Sequence, residues 1–171
     1  MHINPRNSVD DNICVSFIGM KSIKDGFNNT FTKEQRQWVT VKNGFTHIKN
    51  GDVGFAKITP CFQNRKSAVF VNLMNEYGAG TTELHILRAY GANTLISEYL
   101  LWFVKSPYFI ELGKQNLAGT AGQQRFATEK VKMTLIPIPP FNEQIRIVEK
   151  IRQVLNIMTK MRLMSNFPTR L

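Results

Sequence analysis

Pro137, Pro139 and Pro140 end any strand or helix that reaches them, because each lacks a backbone N–H and fixes φ. Beyond them the apolar pattern changes. Residues 131–136 (VKMTLI) read as a last strand, whereas nothing breaks a helical period between Asn142 and Pro168. Asn142 suits the cap of that helix and Glu143 its positive end. Ile147, Ile151, Val154, Met158 and Met161 recur at spacings of four and three, as in the seam of a coiled coil; Ile145, Val148 and Leu155 widen the stripe. The chain therefore divides into a globular part over 1–140 and a helix over 141–171. That helix needs a partner for its apolar face, and the sequence itself supplies one, a second copy, so a homodimer is expected.

The first 90 residues read as short strands separated by turns. Val15 and Phe17 alternate with Ser16 and Ile18, Trp38 and Val41 lie in a β-prone run, and 67–73 and 82–88 are further strands. Asp25-Gly26, Asn43-Gly44, Asn50-Gly51-Asp52 and Gly78-Ala79-Gly80 read as turns. Residues 94–105 change to a helical period, with Thr94 as cap and Leu95, Tyr99, Trp102 and Phe103 on one face. Ser106-Pro107 restarts a helix that runs to about Asn116, before a glycine-punctuated loop over 117–125. The expected class is α/β (α+β): a twisted, largely antiparallel sheet domain plus a long C-terminal coiled-coil helix.

With 43% hydrophobic residues in 171, the chain can bury a real core. No apolar run approaches the roughly 18 residues of a membrane span, and the N-terminus lacks the apolar run of a signal peptide, so a cytoplasmic protein is expected. Cys14 and Cys61 read as small core residues, without the pairing of a zinc site. The net charge is +10, of which +6 falls before residue 142. Such a balance suits a nucleic acid, with an anionic membrane surface as the competing partner.

Residues 51–61 read GDVGFAKITPC and lead into Phe62-Gln63-Asn64-Arg65-Lys66. This string resembles the signature of target-recognition domains in the specificity subunits of type I restriction-modification systems. The likeness continues through 15–20 (VSFIGM), 44–48 (GFTHI), 80–88 (GTTELHILR), 119–125 (GTAGQQR) and 137–148 (PIPPFNEQIRIV), in order along nearly the whole chain. The resemblance implies a target-recognition domain followed by a conserved helix, and a chain holding one of the two such units of a complete subunit. Its implied partners are double-stranded DNA, a modification (methyltransferase) subunit and a restriction subunit. Arg65 stands where the family usually has Gly, and 166–171 does not resemble an entry into a second domain.

Alternation puts Lys57 and Thr59 on one strand face, able to meet a phosphate or simply solvent; the family string favours a backbone contact. Asn64, Arg65 and Lys66 form a basic turn with the same two readings. Gln123, Gln124 and Arg125 carry the side chains that read base edges, behind glycines that permit close approach; a plain connection is the alternative. Lys21, Lys24, Lys33 and Arg36 flank a polar segment that is either DNA-facing or merely solvated. Glu83 and His85 share a strand face, but without a nucleophile or second carboxylate a structural role is favoured. Ile138-Pro139-Pro140-Phe141 mimics an amino-methyltransferase motif, yet Ile138 cannot accept bonds from a target amine. With no cofactor loop and no metal-ligating carboxylate cluster, no catalytic residue, metal or cofactor is expected. The chain reads as DNA recognition rather than a stand-alone enzyme or a protein-only adaptor.

Overall fold

The structure is a computed structural model, which describes residues 1–91, 94–120 and 122–165. Strands β1 (His2–Ile3), β2 (Cys14–Ile18) and β3 (Glu34–Gln37) lead into a one-turn helix, α1 (Trp38–Val41). Next come β4 (Thr46–Lys49), β5 (Val53–Ala56), β6 (Ser67–Val69), β7 (Tyr77–Gly80) and β8 (Leu84–Arg88). Helices α2 (Ser97–Lys105) and α3 (Pro107–Gln115) precede β9 (Leu117–Ala118), β10 (Arg125–Phe126), α4 (Thr128–Lys132) and the long α5 (Phe141–Ser165).

The strands form two four-stranded sheets, ordered β1-β8-β5-β6 and β3-β2-β7-β4, and a small β9-β10 hairpin. Every pairing is antiparallel except β2 with β7. The first sheet is buried on both faces. Val53, Phe55 and Leu87 pack with Leu101, Val104 and Phe109 of the helices. Ala68, Phe70 and Ile86 meet Ile18 and Ile48 of the second sheet. This double burial is why VGFA and LHIL read as continuous apolar runs rather than alternating ones. Gly54 is needed where the sheets meet, since a Cβ there would lie 2.3 Å from the Phe70 ring.

Two of the motif strings hold each other. The Asp52 carboxylate, 1% exposed, accepts from the Lys49 N–H and takes both Nε and Nη2 of Arg88 at 2.7 Å. A bidentate, buried pair of this kind fixes β8 against the turn before β5.

Several expected elements differ. Trp38 and Val41 belong to α1, not to a strand: at a spacing of three, a helical turn puts both on one face, buried against Val15 and Ala79. Gly78-Ala79-Gly80 lies inside β7, where a Cβ on Gly78 would come within 2.8 Å of the Ser16 carbonyl. Those glycines permit close packing rather than a turn. The strand expected over 131–136 is the end of α4 and an unpaired extension: Val131 reaches the core from a helical turn, while Met133 and Leu135 are exposed. Thr94 does not cap α2; its hydroxyl donates to the Tyr90 carbonyl and the helix starts at Ser97. Ser106 does cap α3, accepting from Phe109 N–H at 3.1 Å.

Helix α5 begins at Phe141, so Asn142 lies within its first turn, and the Pro140 carbonyl receives the Glu143 and Gln144 N–H groups. Its first turns dock on α2. Gln144, fully buried, accepts from Ile96 N–H and donates to the Thr94 and Pro139 carbonyls. Val148 is buried, the Tyr99 hydroxyl donates to Pro137, and Arg152 forks onto Glu98. Along the seam Ile147 and Ile151 are half-buried, whereas Val154, Met158 and Met161 are exposed. The ending 166–171, with Pro168, lies outside the described residues.

Candidate nucleic-acid interface

Strand β5 ends at Ala56, and the chain runs on beside the hairpin. Phe126 N–H donates to the Lys57 carbonyl and Thr59 N–H to the Gln124 carbonyl, both at 2.9 Å. The Thr59 hydroxyl oxygen accepts from Gln124 N–H at 3.1 Å, and Thr59 is buried. The two residues therefore do not present one open strand face. Lys57 is half-buried beside the hairpin, and Thr59 works from below as the fastener of Gln124.

That fastening draws four of the sequence candidates together. Lys57, Gln123, Gln124 and Arg125 gather where the segment after β5 pairs with the hairpin, with Gln123 and Arg125 exposed and Gln124 half-buried. Gly119 and Gly122 flank the tip with φ of 121° and 81°, a region that side chains rarely enter; Ala121 lies outside the described residues. Arg125 forks onto Glu83 at 2.8–3.2 Å and donates to the Gln123 carbonyl. This bonding holds the Glu83 carboxyl below its ordinary value and raises Arg125.

Beneath them His85 is fully buried, and burial pushes its pKa down. Its Nε2–H donates to the Phe126 carbonyl at 2.7 Å, leaving Nδ1 to face the Asn4 amide at 3.3 Å. Glu83 and His85 thus each have a separate structural partner and form no acid–base pair. Among the described residues no group of three or more His, Cys, Asp and Glu could hold a metal.

In the turn between β5 and β6, Arg65 and Lys66 are half-buried and bond inward, while Asn64 is exposed and bonds through its backbone. The Asn64 carbonyl accepts from Gly26 N–H, Lys66 Nζ donates to the Met20 carbonyl, and Arg65 Nε donates to the Lys105 carbonyl. Arg65 has φ of 58°, the left-handed conformation that favours glycine, and its guanidinium lies over the Phe27 ring. Here Lys105 is the residue that sequence reasoning missed. It is fully buried, its ammonium donating to the Gly26 and Arg65 carbonyls at 2.9 Å. Its position near the end of an amphipathic helix looks like that of any surface lysine. Of the flanking cations, Arg36 lies on the Phe17 ring and pairs with Glu34, and Lys33 donates to the Asn72 carbonyl.

The fold is an α/β module with an appended helix, and its β9-β10 hairpin carries Gln123, Gln124 and Arg125. Its structure matches that of the HsdS subunit from Thermoanaerobacter tengcongensis with a TM-score of 0.69 at 19% identity, over 90% of this chain and 39% of that one. A chain described in work on complex assembly and conformational transition of the type I R-M system matches with a TM-score of 0.73 at 20% identity, over the same shares. No family model matches the sequence. The EcoAI type I restriction enzyme specificity subunit of Escherichia coli is 42% identical over 156 residues, 91% of this chain and 26% of that protein. The EcoEI specificity subunit of the same organism is 41% identical over 147 residues, 85% of this chain and 25% of that protein. By sequence and fold the chain is a relative of type I restriction enzyme specificity subunits and spans about a quarter of their length.

Proposed function

We propose that this chain recognises one half of a bipartite DNA site and directs a modification subunit to it, without catalysis of its own. The observation that carries the reading is the convergence of Lys57, Gln123, Gln124 and Arg125 at the pairing of the 57–59 segment with the hairpin. Gln and Arg at the tip offer paired donors and acceptors to base edges, and Lys57 beside them suits a phosphate. The similarity to specificity subunits supports the same role. In this reading residues 1–140 form the recognition domain and 141–171 the helix that sets spacing, while Asn64, Arg65, Lys66 and Thr59 hold the surface in shape. The working partners are double-stranded DNA, methyltransferase and restriction subunits, and a second copy of the chain, in the cytoplasm. No described helix is long and apolar enough to cross a membrane.

The test is co-purification with its modification subunit, followed by mapping of the methylated adenines. Methylation at a bipartite site, abolished without this chain, is the expected result. Methylation that ignores the chain, or DNA affinity indifferent to salt, overturns the reading, because a protein that neutralises phosphates loses affinity steeply with salt.

A further inference from the structure

The N-terminal arm joins the two sheets. Asn4, at φ of 52°, exchanges backbone and side-chain bonds with Ile86 of β8, while the Asn7 amide donates to the Ile48 carbonyl of β4. Between them Arg6 projects into a cleft of about 290 Å³, which Lys57 and Thr82 also line.

His47 holds the arm at Asn7, beside Arg6. Its Nδ1 accepts from the Asn7 backbone N–H at 3.0 Å, so the ring proton sits on Nε2 and donates to the Lys42 carbonyl at 2.8 Å. The Arg6 guanidinium comes to 3.0 Å from the same Nε2 and donates weakly to the Phe45 carbonyl at 3.3 Å. Burial lowers the His47 pKa, with Arg6 acting in the same direction, so the ring stays neutral beside the cation.

Neither Arg6 nor Lys57 has a carboxylate within ion-pair distance among the described residues. The nearby Glu83 has both oxygens engaged by Arg125. Two cations in one cleft repel each other, and an anion between them removes that cost. Lys57 is shared between this cleft and the hairpin through the Phe126 N–H bond, so the cleft continues the recognition surface.

We propose that Arg6 and Lys57 together seat one backbone phosphate of bound DNA in this cleft, with the Thr82 hydroxyl as a neutral donor. The proposal rests on the DNA-recognition reading and adds to it a residue of the N-terminal arm. Arg6 carries no sequence information in this role; it fixes where the duplex lies against the hairpin.

The experiment measures affinity for a random-sequence duplex across a salt series, using the full chain and its Arg6→Gln, Lys57→Gln, double and Arg6→Lys variants. Because both cations hold one phosphate, the double variant should lower the salt slope by about 0.9, no more than the loss of one contact. Its affinity loss should fall short of the product of the single losses, and Arg6→Lys should keep most of the slope. Thermal melts of each variant exclude unfolding as the cause. An unchanged slope and affinity in Arg6→Gln, while wild-type binding still falls steeply with salt, overturns the seat and leaves DNA recognition standing. Failure of the wild type to bind duplex overturns both. In that event, saturable amide shifts at Arg6 and Thr82 with inorganic phosphate would assign the cleft to a small anion instead.

Discussion

The Arg125 guanidinium lies fork-to-fork against the Glu83 carboxylate, Nε 3.0 Å from Oε2 and Nη2 2.8 Å from Oε1. Arg125 is 44% exposed along its side chain and Glu83 27%, so the pair sits at the rim of the hairpin, open to anything that docks there. An arginine held this way keeps its plane and direction, with Nε and Nη2 engaged by the carboxylate and Nη1 by the Gln123 carbonyl. Base reading by Arg125 through its Nε–Nη2 edge therefore requires that Glu83 give way, whereas one N–H on each of Nη1 and Nη2 has no acceptor among the described residues.

Glu83→Gln removes both the competitor and a negative charge from the interface. The expected outcome is tighter binding to any duplex and a salt slope steeper by about one. Arg125→Ala should instead lose about 1–3 kcal/mol of preference for the cognate half-site. Fluorescence titrations on cognate and random duplexes at several salt concentrations check both. Equal losses on the two duplexes would make Arg125 a phosphate ligand and remove it from base recognition.

Gln144 closes the joint between α2 and α5 with three bonds, two to carbonyls and one from the Ile96 N–H. Gln144→Ala leaves those backbone groups buried without partners, at about 1–3 kcal/mol for each donor or acceptor that water cannot reach. Denaturant unfolding should show a loss of at least about 1 kcal/mol. A variant as stable as the wild type would mean that water replaces the amide and that the joint is loose.

What was legible in the sequence follows from how far each signal reaches. The C-terminal helix and the Ser106 cap rest on local spacing and local bonds, which neighbours do not overturn. The hairpin was legible as three recognition-type side chains behind glycines, and Lys57 by its alternation with Ala56 and Ile58, although the strand face expected to join it to Thr59 is not open. The inward bonding of Arg65 and Lys66 was not, because their side-chain acceptors are the Lys105 and Met20 carbonyls, tens of residues away. Arg6 and Lys105 gave no signal, since a cation looks the same in sequence whether it faces solvent, a carbonyl pair or an empty cleft. Trp38 and Val41 misled because aromatic and β-branched residues favour strands in general, while here two apolar positions three apart needed one face.

Lys105 makes stability depend on pH. Burial, and then the Arg65 charge, push its ammonium down to about 7 from an ordinary 10.5, with Asp25 pulling the other way. Between those values the unfolded chain holds a proton that the folded chain has released, so stability rises with pH across that window. Below about 7 both states are charged and the cost of burying the ammonium is fully present. Above it the neutral amine still has two N–H groups for its two carbonyl acceptors. Unfolding of wild type and Lys105→Met, followed from pH 7 to 10, should show the difference moving in favour of the wild type as pH rises. A constant difference would mean that Lys105 stays charged throughout.

The seam of α5 makes the last prediction. Val154, Met158 and Met161 are 45%, 59% and 64% exposed, about one turn apart on the helix beyond the Arg152 bond to Glu98 of α2. Such a stripe in water favours association, and an antiparallel second copy would cover it with the same residues. At 25 residues α5 is about 37 Å long, close to the roughly 34 Å of one DNA turn. A pair built this way holds two recognition domains about one turn apart, as a bipartite site requires. Val154→Lys places an ammonium at the centre of that contact, where it would be buried unpaired in the dimer but exposed in the monomer. Sedimentation should find the wild type paired and the variant single, with the unfolding of the domain unchanged. A wild-type chain that remains monomeric at high concentration would end the self-pairing idea and leave the stripe to a helix of another subunit.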